Sequence, residues 1–135
     1  MFVLDCSVTM AWLFSDEDDA YAASVRDRLE DDLAVVPAIW PLEVGNALLV
    51  AERRGRVSRA ESLRFGEILR TLPIDVDVTP TLADVEALCE LAQDAGVSVY
   101  DATYLELAAT HGLPLASLDR DLSRAAAELG VALLG

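Results

Sequence analysis

The sequence predicts a single α/β domain over residues 1–135, in which a mainly parallel sheet of four to five strands carries helices on both faces. Three observations predict this class. Short apolar stretches alternate with longer helical stretches, as in βαβ units. Most of the short stretches are apolar throughout, which is typical of parallel strands covered on both sides. No linker, repeat or low-complexity segment interrupts the chain, and 53% hydrophobic residues are enough for one core.

Five short apolar runs are predicted to be strands. Asp5 ends the first run and Pro37 ends the second, while alternation of apolar and acidic residues from Ile74 marks the third as an edge strand. The last two are apolar runs on either side of the final helix. The predicted strands cover residues 2–4, 33–36, 74–78, 115–117 and 131–134.

Seven helices are predicted between these strands, and several begin at a capping residue. Ser7 can cap the first helix, Thr79 or Thr81 can cap the fifth, and Ser58 with Glu61 predicts a capping box for the fourth. The predicted helices cover residues 8–14, 20–31, 39–54, 58–72, 81–95, 99–111 and 121–129. The acidic residues 15–19 are predicted to form a solvated connection before the second helix.

The charge balance of the chain is strongly acidic. The sequence has 24 Asp and Glu residues against 10 Arg and no Lys, which gives a formal net charge of −14. This charge opposes non-specific attraction to nucleic acid, although local fields near a site count for more than the total. The absence of Lys excludes a P-loop nucleotidase. It also argues against receiver domains and aspartyl-phosphate hydrolases, which by analogy depend on a Lys beside the phosphoryl group.

The sequence also predicts where the protein is located in the cell and argues against one other type of catalytic site. No apolar run approaches the length of a membrane span, and the start MFVLDCSV lacks the features of a signal peptide, so we expect a cytoplasmic protein. Cys6 and Cys89 lie in apolar contexts and are expected to be small buried residues. His111 suits the dipole at a helix end, and no G-x-S-x-G motif supports a Ser-His-Asp triad.

Four acidic residues stand in apolar contexts, where an ionised carboxylate needs a partner. Asp5 and Asp119 follow the apolar runs FVL and LASL, so both are expected at the carboxyl edge of the sheet, where open parallel sheets bind ligands. Glu43 and Asn46 are the only polar residues of IWPLEVGNALLV and share a helix face. Asp101 lies at the start of the apolar helix SVYDATYLELA.

Each of these acids also has an ordinary structural interpretation. Asp5 and Asp119 could end strands or cap the following helices, Asp101 could be a capping acid, and Glu43 could pair with a buried Arg. Their joint occurrence is instead consistent with one pocket. Carboxylates that share a pocket repel one another, and Mg²⁺ or Mn²⁺ relieves that repulsion, activates water and neutralises phosphate charge. Phosphodiester hydrolysis therefore fits the four acids.

The stretches FVLDCSV, PLEVGNAL, VYDATYLELA and LASLDRDLSRAAAELGVALL resemble, in order and approximate spacing, those of the PIN-domain ribonucleases, and specifically the VapC-type toxins of bacterial toxin–antitoxin pairs. The resemblance implies a PIN-like fold and assigns Asp5, Glu43, Asp101 and Asp119 to the metal-binding, catalytic positions. It further implies an Mg²⁺-dependent endoribonuclease, with Mn²⁺ as an alternative, that forms a homodimer. A cognate antitoxin would inhibit it by laying a peptide over the pocket.

The resemblance also assigns residues around the acids. Ser7 matches a polar position after the first acid, and Asn46 matches a position that is often polar near the same site. Asp121 is expected to be a solvated helix cap, with a further metal ligand or a residue that supports the ligands as alternatives, and the resemblance does not assign it as catalytic. Cys6 departs from the small hydroxylated residue that the family more often has after the first acid.

Arg residues near the predicted site could contact RNA phosphates through bidentate hydrogen bonds. Arg53, Arg54 and Arg56, with Arg59, follow the Glu43 helix, and Arg120, with Arg124, follows Asp119. A solvated helix end explains the first group equally well. The aromatic residues Trp12, Trp40, Tyr100 and Tyr104 are expected in the core or at a dimer contact.

Two other functions stay open at this point. The chain could be a catalytically silent PIN-like binding module, or a PIN nuclease that processes RNA outside toxin–antitoxin systems. The presence of all four acids favours activity, because degenerate copies usually lose one or more of them.

Overall fold

The structure is a computed structural model that describes residues 1–14 and 19–135. Most of the predicted acidic connection, residues 15–18, lies outside the described residues. Within the described ranges there are four strands and seven helices: β1 (Phe2–Leu4), α1 (Cys6–Ala11), α2 (Ala20–Arg28), β2 (Ala34–Val36), α3 (Trp40–Arg53), α4 (Arg59–Thr71), β3 (Ile74–Val76), α5 (Leu82–Ala95), α6 (Val99–His111), β4 (Leu115–Ala116) and α7 (Arg120–Leu129).

The four strands form one parallel sheet in the order β3-β2-β1-β4. β1 is central: Val3 pairs with Val35 of β2 on one side and with Leu115 of β4 on the other. All three residues of β1 have no exposed surface, which explains why its sequence is apolar throughout. β3 lies at the edge, as its alternating sequence predicted, and the predicted parallel sheet is confirmed.

The helices cover both faces of the sheet, as predicted. The chain runs from β1 to β2 to β3 in one direction and then crosses back to β4, so right-handed connections place α1–α4 on one face and α5–α7 on the other. The contacts between helices agree with this arrangement. α1 packs against α2 and α3, and α3 packs against α4, while α5 packs against α6 and α7.

The main core lies between the sheet and these two layers, and it contains two of the four aromatic residues named from the sequence. Trp40 and Tyr104 are buried in it, and Trp12 is half-buried, with its indole N–H donating to the carbonyl oxygen of Ala22 at 2.7 Å. Tyr100 is 62% exposed. The prediction of two buried thiols is only half right, because Cys6 is buried but Cys89 lies exposed on α5.

The ends of several elements differ from the predicted ones. α1 begins at Cys6, and its N-cap position is Asp5 rather than Ser7, which lies inside the helix and donates its hydroxyl group to the Asp5 carboxylate. The strand predicted over 131–134 is reduced to a single parallel bridge between Leu115 and Leu133. Since β4 is only two residues long, Leu115 alone provides the backbone groups that bond this segment.

Most of the helix ends follow the predicted capping chemistry. Ser58 and Glu61 form a complete capping box for α4, and Thr81, rather than Thr79, forms one with Asp84 for α5. Gly112 ends α6 in the left-handed conformation, with φ of 63°, that a side chain would disfavour. Among the helices of the described residues, none combines the length and apolarity needed to cross a membrane.

Candidate active site

The topology of the sheet brings four acidic residues to one edge. The chain leaves β1 toward β2 and arrives at β4 on the opposite side of β1, so the carboxyl ends of β1 and β4 border the crevice where such sheets bind ligands. Asp5 directly follows β1, and Asp119 follows β4 by three residues. α3 begins shortly after β2 and α6 ends shortly before β4, so their first turns, which carry Glu43 and Asp101, lie toward the same edge.

Asp5 is held by two hydroxyl groups. Its side chain is buried, and its Oδ2 accepts hydrogen bonds from Ser7 Oγ at 2.6 Å and from Ser117 Oγ at 2.7 Å. Ser7 Oγ in turn accepts from the backbone N–H of Leu118 at 2.9 Å, and Ser117 Oγ accepts from the backbone N–H of Asp119 at 3.0 Å. The first acid is therefore fixed to the same loop that carries the last one.

Ser117 was missed as a site residue by the sequence analysis, which treated it only as the end of a strand. The available signal was a single hydroxyl group, two residues before a strand-end acid, in an otherwise apolar run. Hydroxyls in that position have many ordinary uses, so this signal alone does not identify a contact with Asp5.

The surroundings of Asp5 disfavour its ionised form. Burial raises the pKa of Asp5 above its ordinary value, and the negative charge of Asp119 raises it further. The hydrogen bonds from Ser7 and Ser117 favour the charged form but offset only part of the burial. Ionised Asp5 is thus not fully compensated by the protein.

Glu43 is half-buried and has an aromatic partner. The hydroxyl group of Tyr104, a residue without exposed surface, donates to Glu43 Oε1 at 2.5 Å. Burial raises the pKa of Glu43, the Tyr104 hydrogen bond lowers it, and the charges of Asp5 and Asp101 raise it again. Burial and the Glu43 charge also raise the pKa of the Tyr104 phenol, so this hydroxyl stays a donor.

The contact between Tyr104 and Glu43 was also missed from the sequence, where Tyr104 was assigned to the core or a dimer contact. Its position in the core is correct. The remaining signal was that a buried Tyr normally needs a hydrogen-bond partner for its hydroxyl group. Tyr104 also follows Asp101 by three residues on the same helix, which places both on one face of α6.

Asp101 takes part in only one half of a capping box. Its backbone N–H donates to Ser98 Oγ at 3.0 Å, but α6 has only this half of a capping box, whereas α4 and α5 have both halves in the described structure. Burial raises the pKa of Asp101, followed by the charges of Asp119 and Asp5. In contrast, hydrogen bonds from Thr81 lower the pKa of exposed Asp84, which stands at the same position of α5.

Asp119 is exposed and caps α7. Its Oδ1 accepts from the backbone N–H groups of Asp121 at 2.9 Å and Leu122 at 3.1 Å. α7 therefore begins at Arg120 rather than at Asp121, and the capping interpretation of Asp119 describes a contact that is present. Asp121 is exposed in the first turn of α7, and its charge also raises the pKa of Asp101.

The four acids are electrostatically linked, but they do not form a finished coordination sphere. The charge of Asp5 raises the pKa values of Glu43 and Asp101, and the charge of Asp119 raises those of Asp5 and Asp101. In the described part of the chain, no Arg, His or terminal amine forms an ion pair with any of them. Across residues 1–14 and 19–135, no three Asp, Glu, His or Cys side chains lie close enough together to hold a metal ion.

The first Arg group lies at the end of α3 far from Glu43, whereas Asn46 follows Glu43 by one turn. Asn46 is exposed on α3 and lines a groove with Phe14, Arg54 and Arg56, whose guanidinium lies 3.8 Å from the centroid of the Phe14 ring. Arg53, Arg54 and Arg59 are exposed. Ten residues of helix separate Glu43 from Arg53, which corresponds to about 15 Å along the axis of α3.

Arg120 lies much closer to the acids in sequence and structure. It is exposed beside Asp119 and, with Ser117 and Leu118, lines a cavity of about 460 Å³. Arg124, one turn further along α7, lies 3.5 Å from Glu128 and is thus partly neutralised. Of the predicted RNA contacts, Arg120 is therefore the one that borders the loop of Asp119.

Comparison with known proteins agrees with this fold. The profile of the family described as PIN domain matches residues 2–128 of the chain. PAE2754 from Pyrobaculum aerophilum is similar in structure, with a TM-score of 0.70 and 25% identity over 92% of this chain and 83% of that chain.

Two further solved structures share the fold at lower sequence identity. A toxin–antitoxin complex from Klebsiella pneumoniae matches with a TM-score of 0.64 and 16% identity, covering 91% of each chain. FitAcB from Neisseria gonorrhoeae matches with a TM-score of 0.65 and 19% identity, covering 100% of this chain and 97% of that one. No curated protein matches in sequence. Because the family profile spans nearly the whole chain and the structure has the corresponding fold, this protein belongs to the PIN domain family.

Proposed function

We propose that this protein is an Mg²⁺-dependent endoribonuclease, with Mn²⁺ as an alternative cofactor. Membership of the PIN domain family supports a nuclease. The observation that carries the proposal is the group of four carboxylates at the carboxyl edge of the sheet, Asp5, Glu43, Asp101 and Asp119. Asp5, Glu43 and Asp101 have pKa values raised by burial and by the charges of other acids of this group, and no cationic side chain of the described residues pairs with them.

The chemistry of this donor set fits a hard divalent cation. Carboxylate oxygens are the ligands that Mg²⁺ and Mn²⁺ prefer, and a cation would remove the repulsion that now disfavours ionisation. The side chains would have to move closer together, since they are not in ligand arrangement. Asp5 is fixed by two hydroxyl groups and Glu43 by the Tyr104 hydroxyl group, whereas half-buried Asp101 and exposed Asp119 have room to adjust around them.

In the proposed reaction Asp5, Glu43, Asp101 and Asp119 would hold the metal ion. A bound Mg²⁺ provides a water of lowered pKa and neutralises charge on the phosphate that is cleaved. Asp5 lies at the centre of the proposed site, at the end of the central strand, and Glu43 and Asp101 approach this point from opposite faces of the sheet. Asp119 lies on the exposed side, where an RNA strand has access.

Cleavage of RNA with defined ends tests this proposal. We expect circular and linear RNAs to be cut with Mg²⁺ or Mn²⁺, and cutting to stop with EDTA and in the variants Asp5→Ala and Asp101→Ala. Asp94→Ala, which removes an exposed acid of α5, serves as the matched control and should retain activity. Undiminished cleavage with EDTA or in either site variant would overturn the metal mechanism. Absence of cleavage of any RNA would favour the silent binding module.

We further propose that the protein is a cytoplasmic, VapC-type toxin of a type II toxin–antitoxin pair and is inhibited by a cognate antitoxin. The sequence resemblance supports this, and one structure with the same fold is titled a toxin–antitoxin complex. Expression of the chain should arrest growth, Asp5→Ala should not, and co-expression of a small protein encoded next to it should restore growth. A chain that cleaves RNA without arresting growth would instead favour RNA processing.

We also propose a homodimer, which the resemblance implies. An exposed apolar face supports it: Leu42, Val78 and Tyr100 are 70%, 81% and 62% exposed around a cavity of about 340 Å³. Light scattering over a range of concentrations should show the mass of two chains. Val78→Asp should yield a monomer, whereas Leu63→Asp, at an exposed apolar residue of α4, should not. A monomeric wild-type chain would rule out the dimer.

Contacts of Arg residues with RNA phosphates are a separate part of the proposal. The Asp5→Ala variant is expected to bind RNA without cutting it. In this background we expect Arg120→Ala and Arg54→Ala each to weaken binding across RNA sequences. Each change should also reduce the slope of log affinity against log salt by about 1. Arg26→Ala, at an exposed position of α2, is the control. Unchanged slopes would show that these Arg residues are only solvent-exposed side chains at helix ends and do not contact RNA.

A further inference from the structure

We propose that Tyr104 is a positioning residue that holds the Glu43 carboxylate in the orientation needed for metal binding. The proposal rests on the proposed metal-dependent function. Its starting observation is the 2.5 Å hydrogen bond from the Tyr104 hydroxyl group to Glu43 Oε1, which joins residues 61 positions apart. Of the hydrogen bonds found among the described residues, this is the one that reaches the Glu43 side chain.

The position of the Tyr104 hydroxyl group is fixed by the core. The residue has no exposed surface and belongs to the main apolar cluster, which also contains Phe2 and Leu4 of the central strand. A phenol ring packed in this way has little rotational freedom, so its hydroxyl oxygen is a rigid reference point. Glu43, by contrast, is half-buried on α3, on the other face of the sheet.

Through this contact, one face of α6 contributes two residues to the proposed site. Asp101 lies one turn before Tyr104, so the same helix supplies a proposed metal ligand and the donor that holds a second ligand from α3. The charges of Asp5 and Asp101 act on the Glu43 carboxylate and would drive it toward solvent. Because Tyr104 binds Oε1 only, the other carboxylate oxygen can turn toward the shared site, as in the hydrogen-bonded ligands of other metal centres.

Direct measurement of metal affinity tests the role of Tyr104 independently of activity. Tyr104→Phe keeps the ring and its packing but removes the hydroxyl group. We expect it to weaken Mn²⁺ binding, followed by electron paramagnetic resonance, by about 10- to 100-fold. Thr110→Val removes an exposed hydroxyl group of the same helix, which bonds Glu106, and should leave affinity unchanged. Circular dichroism of both variants checks that the fold is retained.

A double-mutant cycle separates positioning from packing. If Tyr104 acts through Glu43, then Tyr104→Phe should weaken Mn²⁺ binding in the wild-type chain but not in the Glu43→Ala background. An equal loss in both backgrounds, or no loss in either, would overturn the positioning role while leaving the metal site in place. Failure of the wild-type chain itself to bind Mn²⁺ would overturn the proposed metal-dependent function and this inference with it.

Discussion

The hydroxyl group of Ser117 lies 2.7 Å from Asp5 Oδ2 and donates a hydrogen bond to it, across 112 positions of sequence. This bond joins the end of the central strand β1 to the loop after β4. Ser7 donates to the same oxygen from the first turn of α1. The orientation of the most buried acid is therefore set by two hydroxyl groups, only one of which is local in sequence.

Removal of the Ser117 hydroxyl group is predicted to destabilise the protein. Ser117→Ala leaves Oδ2 of a buried carboxyl group with one hydroxyl donor instead of two, so we expect the free energy of unfolding to fall by about 1 to 2 kcal/mol. Urea unfolding at neutral pH measures this. Ser24→Ala removes an exposed hydroxyl that bonds within α2, and it should change stability by less than about 0.5 kcal/mol. Equal effects of the two changes would contradict the assigned role of Ser117.

Neutralisation of two acids in equivalent helix positions is predicted to have opposite effects. Hydrogen bonds lower the pKa of Asp84, so Asp84→Asn removes a favourable charge and should lower the urea midpoint at neutral pH. Burial and neighbouring charges raise the pKa of Asp101, so Asp101→Asn removes an unfavourable charge and should raise that midpoint in EDTA. Midpoints that shift in the same direction would show that Asp101 is an ordinary capping acid.

The raised pKa values of Asp5, Glu43 and Asp101 predict how the stability of the metal-free protein depends on pH. When a folded-state pKa is raised, the folded form binds more protons than the unfolded form between the two values. Each of these groups therefore stabilises the folded protein fully below its ordinary pKa, and this stabilisation is lost as pH rises through its raised pKa.

Asp5→Asn isolates one part of this dependence, because Asn cannot ionise. In EDTA, we expect the melting temperature of the variant to rise relative to that of the wild-type chain as pH increases from about 4 to about 8. Asp94→Asn, at an exposed acid, should follow the wild-type curve. A constant difference between Asp5→Asn and wild type over this range would mean that the fold does not raise the pKa of Asp5.

The two cysteine thiols are predicted to react at very different rates. Cys89 is exposed on α5, whereas Cys6 is buried, and burial with the charges of Glu43 and Asp5 raises its pKa to about 12. Because the thiolate is the reactive form, a disulfide reagent should modify one thiol quickly in the native protein and the second only on unfolding. Cys89→Ser should abolish the fast phase. A fast phase that persists in this variant would show that the region beside Asp5 is open.

The sequence alone selected the four acids as candidates, because each stands next to an apolar run. In the structure Asp5 is buried and Glu43 and Asp101 are half-buried, whereas Asp119 is exposed. The sequence also predicted the parallel sheet, since apolar runs of strand length alternate with capped helices. Ser117 and Tyr104 were not identified as partners, because a Ser near a strand end or a Tyr in an apolar helix is common in any fold. Their importance comes from the atoms they contact, and those contacts depend on how distant elements pack.

The comparison of Ser98-x-x-Asp101 with Thr81-x-x-Asp84 shows the limit of local sequence patterns. Both are hydroxyl residues followed by an acid three positions later, and both hydroxyl groups accept from the N–H of that acid. Of the two acids, only Asp84 accepts a hydrogen bond from the backbone N–H at the helix start, that of Thr81. The difference arises because α6 begins beside the other acids at the carboxyl edge, whereas Asp84 is exposed.

By itself, the sequence determined the order of strands and helices and which acids stand in apolar surroundings. These properties follow from side-chain periodicity and capping, which act over a few neighbouring residues. The tertiary structure decided that β1 is central, that α3 and α6 approach one edge from opposite faces, and which hydroxyl group meets which carboxylate. Such contacts join residues up to 112 positions apart, and only the packing of the whole chain brings them within hydrogen-bonding distance.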